Sequence, residues 1–144
     1  MSIVDAMTAR LVSVGPDATV QEAIARMLEA QAGSVTVCEG ERLVGIFTER
    51  DVLRLAGEGA DFRTLPVGEV MTRNLVTVSP DDDIVSAAAL MQERRIRHLP
   101  VIQDGNVLGI VGIREVLRAL VERLWSLHDE QARETVRDLL SRGA

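Results

Sequence analysis

The sequence has no lysine, no tyrosine, one tryptophan, two phenylalanines, one cysteine and two histidines among 144 residues. Each shortage removes a class of chemistry. Without lysine no Schiff base can form, and anions must be met by arginine, histidine or backbone N–H groups; all 16 basic residues are arginine. So few aromatic rings cannot build the stacking platforms that hold single-stranded nucleic acid. The lone Cys38 cannot close an internal disulfide, which suits a reduced, intracellular setting, and within its β-branched run it reads as a small buried apolar residue. His98 and His128 stand in different segments without metal-ligand spacing. There is no P-loop and no cue for an activated nucleophile, so neither enzyme activity nor a catalytic cofactor is expected. No apolar run approaches the roughly 20 residues a membrane span needs. The start, Met1 to Thr8, lacks the basic and apolar regions of a signal peptide, and a cytoplasmic protein is expected. The net charge of −6 denies the chain the basic field that nucleic acids and anionic membranes require.

What is present is a sequence of globular composition, 47% apolar and 26% charged, with an aliphatic core of one-domain size. Its dominant feature is an internal repeat. Met7 to Arg54 aligns without a gap with Met71 to Arg118. Val12–Val14 and Val76–Val78 read as short strands, each closed by a proline, Pro16 or Pro80. Val20, Ala23, Ile24 and Met27 then fall on one helix face, as do Ile84, Ala87, Ala88 and Met91. Asp17 and the run Asp81–Asp83 suit the starts of those helices; a metal site in the Asp run is the weaker reading, since neighbouring residues point apart. Val35–Cys38 with Leu43–Phe47, and Leu99–Ile102 with Val107–Val111, read as hairpins, the second turning at Asp104-Gly105. Helices begin near Glu49 and Ile113. Each copy is thus strand, helix, strand, strand, helix. From the end of the second copy onward, Leu117, Leu120, Val121, Leu124, Leu127, Val136, Leu139 and Leu140 form an amphipathic stripe, uninterrupted by glycine or proline from Glu115 to Arg142 and ended by Gly143. The expected organisation is a first repeat over 1–56, a linker over 57–66, a second repeat over 67–120 and a helical extension over 121–144.

The two Met-Thr…Leu-Val-(Ser/Thr)-Val-x-Pro-Asp segments, Arg97-His-Leu-Pro-Val-Ile102 and Gly45-Ile-Phe-Thr-Glu-Arg-Asp51 resemble a tandem pair of CBS domains, the Bateman module. The resemblance spans about Ile3 to Leu120. It implies an α/β fold, with two β-α-β-β-α repeats packed face to face around a pseudo-twofold axis and two clefts between them. It further implies a regulatory sensor of adenine nucleotides (AMP, ADP or ATP, hence energy sensing) or of S-adenosylmethionine-type ligands, acting as a homodimer, a disk of four repeats.

Within that resemblance the first copy carries the motif intact at Gly45, Thr48 and Asp51. A strand-to-helix turn offers free N–H groups to phosphate, the Thr48 hydroxyl adds a donor, and the Asp51 carboxylate can accept from both ribose hydroxyls. The same two residues also read as a plain capping box. The second copy has Gly112 for Thr48 and Glu115 for Asp51. Carried over from the family, the Thr48–Asp51 cleft is flanked by Arg73 and by Ile96, Arg97, His98, Leu99 and Pro100, with Arg97, His98 and Arg114 as phosphate ligands. The opposite, weaker cleft carries Gly112 and Glu115, is flanked by Ala9, Ala32, Gly33 and Ser34, and has Arg50 as its cation. The expected function is a stand-alone regulatory module that binds an adenine nucleotide mainly beside Asp51. Its output passes through an effector protein or through the dimer, and neither nucleic acid nor membrane is a partner. The rival expectation is a dimerisation or interaction scaffold with vestigial clefts, motivated by Gly112, Glu115 and the unmatched C-terminal helix, which either covers the core or meets a second subunit.

Overall fold

A computed structural model of the chain describes residues 1–7, 11–126 and 130–142. In chain order its elements are α1 (Ile3–Ala6), β1 (Ser13–Val14), α2 (Val20–Ala30), β2 (Ser34–Glu39), β3 (Arg42–Thr48), α3 (Glu49–Gly57), α4 (Val67–Val70), α5 (Ile84–Arg94), β4 (His98–Gln103), β5 (Asn106–Gly112), α6 (Ile113–Ser126) and α7 (Glu130–Arg142). Ala9, Leu127, His128 and Gly143, named above, lie outside the described residues.

The first sheet has strand order β1-β2-β3, with β1 parallel to β2 and β2 antiparallel to β3. The second is the hairpin β4-β5. The strand expected at Val76–Val78 shrinks to a single parallel bridge between Val78 and Val101. The β4-β5 turn has φ 51° at Asp104 and 80° at Gly105, the two positive values that a tight hairpin turn requires.

Helix α2 buries Val20, Ala23 and Met27, the expected face. It starts after Thr19 rather than at Asp17. Thr19 Oγ1 accepts from the Glu22 N–H at 3.1 Å, and the Glu22 carboxylate accepts from the Thr19 N–H at 3.0 Å. That reciprocal box satisfies two helix-end donors. Helix α5 does begin after Asp83, whose Oδ2 accepts from the Val85 N–H at 3.0 Å. Both helices end on a left-handed residue that is not glycine, Gln31 (φ 52°) and Arg95 (φ 54°), at matching places in the repeat. Each turns the chain sharply into the segment that builds the site.

Two four-residue helices, α1 and α4, too short to show a period in sequence, decide how the halves join. Ile3 and Ala6 of α1 are buried with Ile84, Leu99, Val101 and Val111, in the core of the second repeat. Val67 of α4, with Met71 behind it, is buried with Val20, Val35 and Phe47, in the core of the first. Each repeat's leading helix therefore completes the core of the other. The contact is pinned by main-chain hydrogen bonds, Ile3 N–H to Asp82 O at 2.9 Å and Val67 N–H to Ala18 O at 2.7 Å. Strand β3 also reaches across, pairing Ile46 with Thr72.

The C-terminal extension is helical, but it folds as two helices. Arg137 of α7 lies 5.7 Å from the centre of the Trp125 ring on α6. In one continuous helix, twelve residues would hold them about 18 Å apart. Helix α7 therefore folds back on α6, and Val136, 1% exposed, is the residue it buries.

Candidate functional site

The site is built where both hairpins meet the helices that follow them. Cross-strand register sets Ser34 opposite Thr48 and His98 opposite Gly112. The Glu49 N–H donates to Gly33 O at 3.0 Å, and the Ile113 N–H donates to Arg97 O at 2.9 Å. In each repeat the first residue of the last helix is thus tied to the loop that enters the hairpin.

A cavity of about 180 Å³ opens at this seam, lined from both halves. The first repeat supplies Val12, Gly33, Ser34 and Glu49; the second supplies Arg97, His98, Gly112, Arg114 and Glu115, with Ile110 and Ile113 as apolar wall. Gly33 is a point of close approach. A Cβ there would sit 3.0 Å from His98 Nε2 and 3.2 Å from Glu49 Oε1. The imidazole and the carboxylate therefore converge on the Gly33 backbone.

The family resemblance implies Arg97, His98 and Arg114 for the cleft of Thr48 and Asp51. The structure sets them instead beside Gly112 and Glu115, in the cavity that also holds Gly33 and Ser34. Thr48, Arg50, Asp51, Arg73, Ile96 and Pro100 do not line it. Arg50 is exposed on α3. Arg73 donates through Nη2 to Gly68 O at 2.9 Å. Ile96 packs against the second core, and Pro100 is buried within β4. Glu49 was missed altogether, although it stands beside Thr48 in the motif and opposite Ile113 in the repeat.

Both helix-start motifs cap their helices, by different means. Asp51 Oδ2 accepts from the Thr48 N–H at 2.9 Å and from the Thr48 hydroxyl at 3.2 Å, while Oδ1 stands 3.6 Å from Arg54. Both Asp51 oxygens are thereby engaged. In the second repeat, Glu115 Oε2 accepts from the Gly112 N–H at 3.0 Å. A Cβ on residue 112 would come within 2.6 Å of that oxygen. Glycine and the longer acid are thus complementary: the missing side chain makes room for the extra methylene. Among the described residues, the second Glu115 oxygen has no hydrogen bond.

The cavity's charges are poised rather than paired. Among the described residues, Arg97, Arg114 and Glu49 have no ion pair or side-chain hydrogen bond. Burial lowers the His98 pKa below the ordinary 6.5; the Glu49 and Glu115 carboxylates oppose the shift, and Arg97 and Arg114 add to it. His98 is therefore neutral at pH 7, a donor or acceptor rather than a cation. A histidine whose pKa falls on folding binds its proton more readily unfolded. It contributes stability above about pH 6.5 that is lost as the pH falls through that value toward the folded pKa. Urea midpoints of the wild type and His98→Asn are expected to diverge between about pH 8 and about pH 5, with the wild type losing more. Parallel curves would mean that His98 is not held neutral.

Among the described residues no group of His, Cys, Asp and Glu is arranged to hold a metal ion, and no helix is long and apolar enough to cross a membrane.

A family model for the CBS domain matches residues 3–58 and 67–122. The chain is 37% identical over 116 residues to the CBS domain-containing protein YhcV of Bacillus subtilis, across 80% of this chain and 82% of that one. It superposes on the crystal structure of the CBS domain NE2398 with a TM-score of 0.80 at 31% identity, covering 84% of this chain and 98% of that one. The CBS domain protein PAE2072 from Pyrobaculum aerophilum, solved in complex with AMP, shares the fold with a TM-score of 0.76 at 23% identity, covering 85% and 99%.

Proposed function

The chain belongs to the CBS-domain family as a tandem pair, and from that premise we propose that it is a regulatory module binding an adenine nucleotide in the cavity between its repeats. One observation carries the proposal: two unpaired guanidiniums and the start of α6 converge on a cavity that also offers an unengaged carboxylate oxygen. A phosphate is met by Arg97, Arg114 and the N–H groups of the first turn of α6 after Ile113, whose own N–H is tied to Arg97 O. The unengaged Glu115 oxygen accepts from a ribose hydroxyl, and neutral His98 adds a donor. Val12, Ile110 and Ile113 give the ring an apolar wall. A cavity of about 180 Å³ takes only part of a nucleotide, the remainder lying along the exposed mouth formed by Arg97, Arg114 and Glu49. The AMP complex of the Pyrobaculum protein supports this ligand class. The preference for this cavity over the Thr48–Asp51 cleft rests on Asp51, both of whose oxygens are already held within the chain.

The proposed assembly is a homodimer, with a change in the dimer or an effector protein as the output. Its support is the pair of repeat mates Leu53 and Leu117, both largely exposed on α3 and α6.

Thermal melting with AMP, ADP, ATP and S-adenosylmethionine tests the reading. A ligand present at a hundredfold its dissociation constant is expected to add about 2.7 kcal/mol, a shift of a few degrees. Arg97→Ala/Arg114→Ala should abolish the shift and Asp51→Ala should keep it. The reverse ranking would move the site to Thr48 and Asp51. No shift with any of the four at millimolar concentration would leave the interaction scaffold as the better reading.

A further inference from the structure

Glu49 is the charge in this cavity that a phosphate-binding site does not need. Its repeat mate is Ile113, an apolar residue that also lines the cavity. The carboxylate reaches the Gly33 backbone beside His98 and has no ion pair or side-chain hydrogen bond among the described residues. Its backbone is held at the cavity, because the Glu49 N–H donates to Gly33 O. With Arg97 and Arg114 against Glu49 and Glu115, and His98 neutral, the cavity has no net formal charge.

We propose that Glu49 is a specificity-determining residue that limits the negative charge of the bound ligand, so that the cavity favours an adenosine monophosphate over the triphosphate. The inference rests on the nucleotide reading above and concerns the same site. One phosphate matches the two guanidiniums. Each further phosphate adds negative charge that no third cation of the cavity balances. Because the cavity takes only part of a nucleotide, the phosphates beyond the first lie along its exposed mouth beside Glu49, well within the Debye length of about 8 Å at physiological salt. The first repeat thus contributes an anionic gate to a site whose cations all come from the second.

The test is isothermal calorimetry with AMP, ADP and ATP in metal-free buffer, on the wild type, Glu49→Gln and Glu49→Ile. Glutamine keeps the shape and removes the charge; isoleucine installs the residue of the repeat mate. The wild type is expected to bind AMP at least tenfold more tightly than ATP, with ADP between. Both variants should narrow that ratio at least fivefold by tightening ATP, with AMP affinity changing less than threefold. Binding of ATP as tightly as AMP by the wild type, or an unchanged ratio in both variants, overturns the role of Glu49 and leaves the nucleotide reading standing. Absence of binding by all three nucleotides overturns both. Glu49 is exposed, so neither substitution threatens the core.

Discussion

Ile3→Ala is expected to destabilise the second repeat, although Ile3 stands at the head of the first. The side chain is fully buried among Ile84, Leu99, Val101 and Val111. Removing it leaves a cavity in a close-packed aliphatic core, at a cost of about 2–5 kcal/mol. That is a large share of the roughly 5–15 kcal/mol that holds a domain of this size folded. Urea denaturation reads the loss as a lower midpoint at unchanged slope. Hydrogen exchange locates it: protection should fall more in β4, β5 and α5 than in β2 and β3. Val67→Ala, at the matching place in α4, should produce the opposite pattern, because Val67 is buried in the first core. A loss below about 1 kcal/mol for Ile3→Ala would contradict the exchanged packing of the leading helices. The same exchange means that a fragment starting in the linker lacks Ile3 and Ala6, and one ending there lacks Val67 and Met71.

The second large effect is expected at Phe47. It is the largest of the fully buried side chains and fills the first core opposite Val35. Phe47→Ala should cost about 3–5 kcal/mol. The repeat supplies the control. In the second core the equivalent cross-strand pair is Leu99 with Val111, so volume moves from one member of the pair to the other. Val111→Ala removes far less buried surface and should cost clearly less than Phe47→Ala. Urea midpoints of the two variants decide the matter. An equal or larger loss for Val111→Ala would show that the first core collapses around the missing ring and that Phe47 does not hold it open.

Much of the site could be found along the chain, but not its grouping. Gly33, Ser34, Arg97, His98, Gly112, Arg114 and Glu115 were all marked by the repeat and the family motif, and all line one cavity. The family pattern sent Arg97 and His98 to the other cleft. A signal for the observed grouping existed in the turn at Asp104-Gly105. Counted outward across one bulge, it sets His98 opposite Gly112. The Gly112–Glu115 pair shows its geometry only when the two residues are taken together. As separate substitutions they look like decay of Thr48 and Asp51. Together they form a cap of different dimensions, because glycine vacates the space the longer acid fills.

By itself, the sequence determined the duplicated architecture, the buried helix faces, the two hairpins and the family. These depend on periodicity and turn chemistry within a dozen neighbouring residues, which a single chain displays directly. Tertiary structure alone decided that α1 and α4 exchange cores, that α7 folds back on α6, and that Glu49 shares a cavity with His98. A single-turn helix such as Ile3–Ala6 is too short to show a period. Which core receives it depends on contacts between residues some eighty positions apart. The convergence of Glu49 and His98 on Gly33 likewise joins residues far apart along the chain, which no local pattern displays.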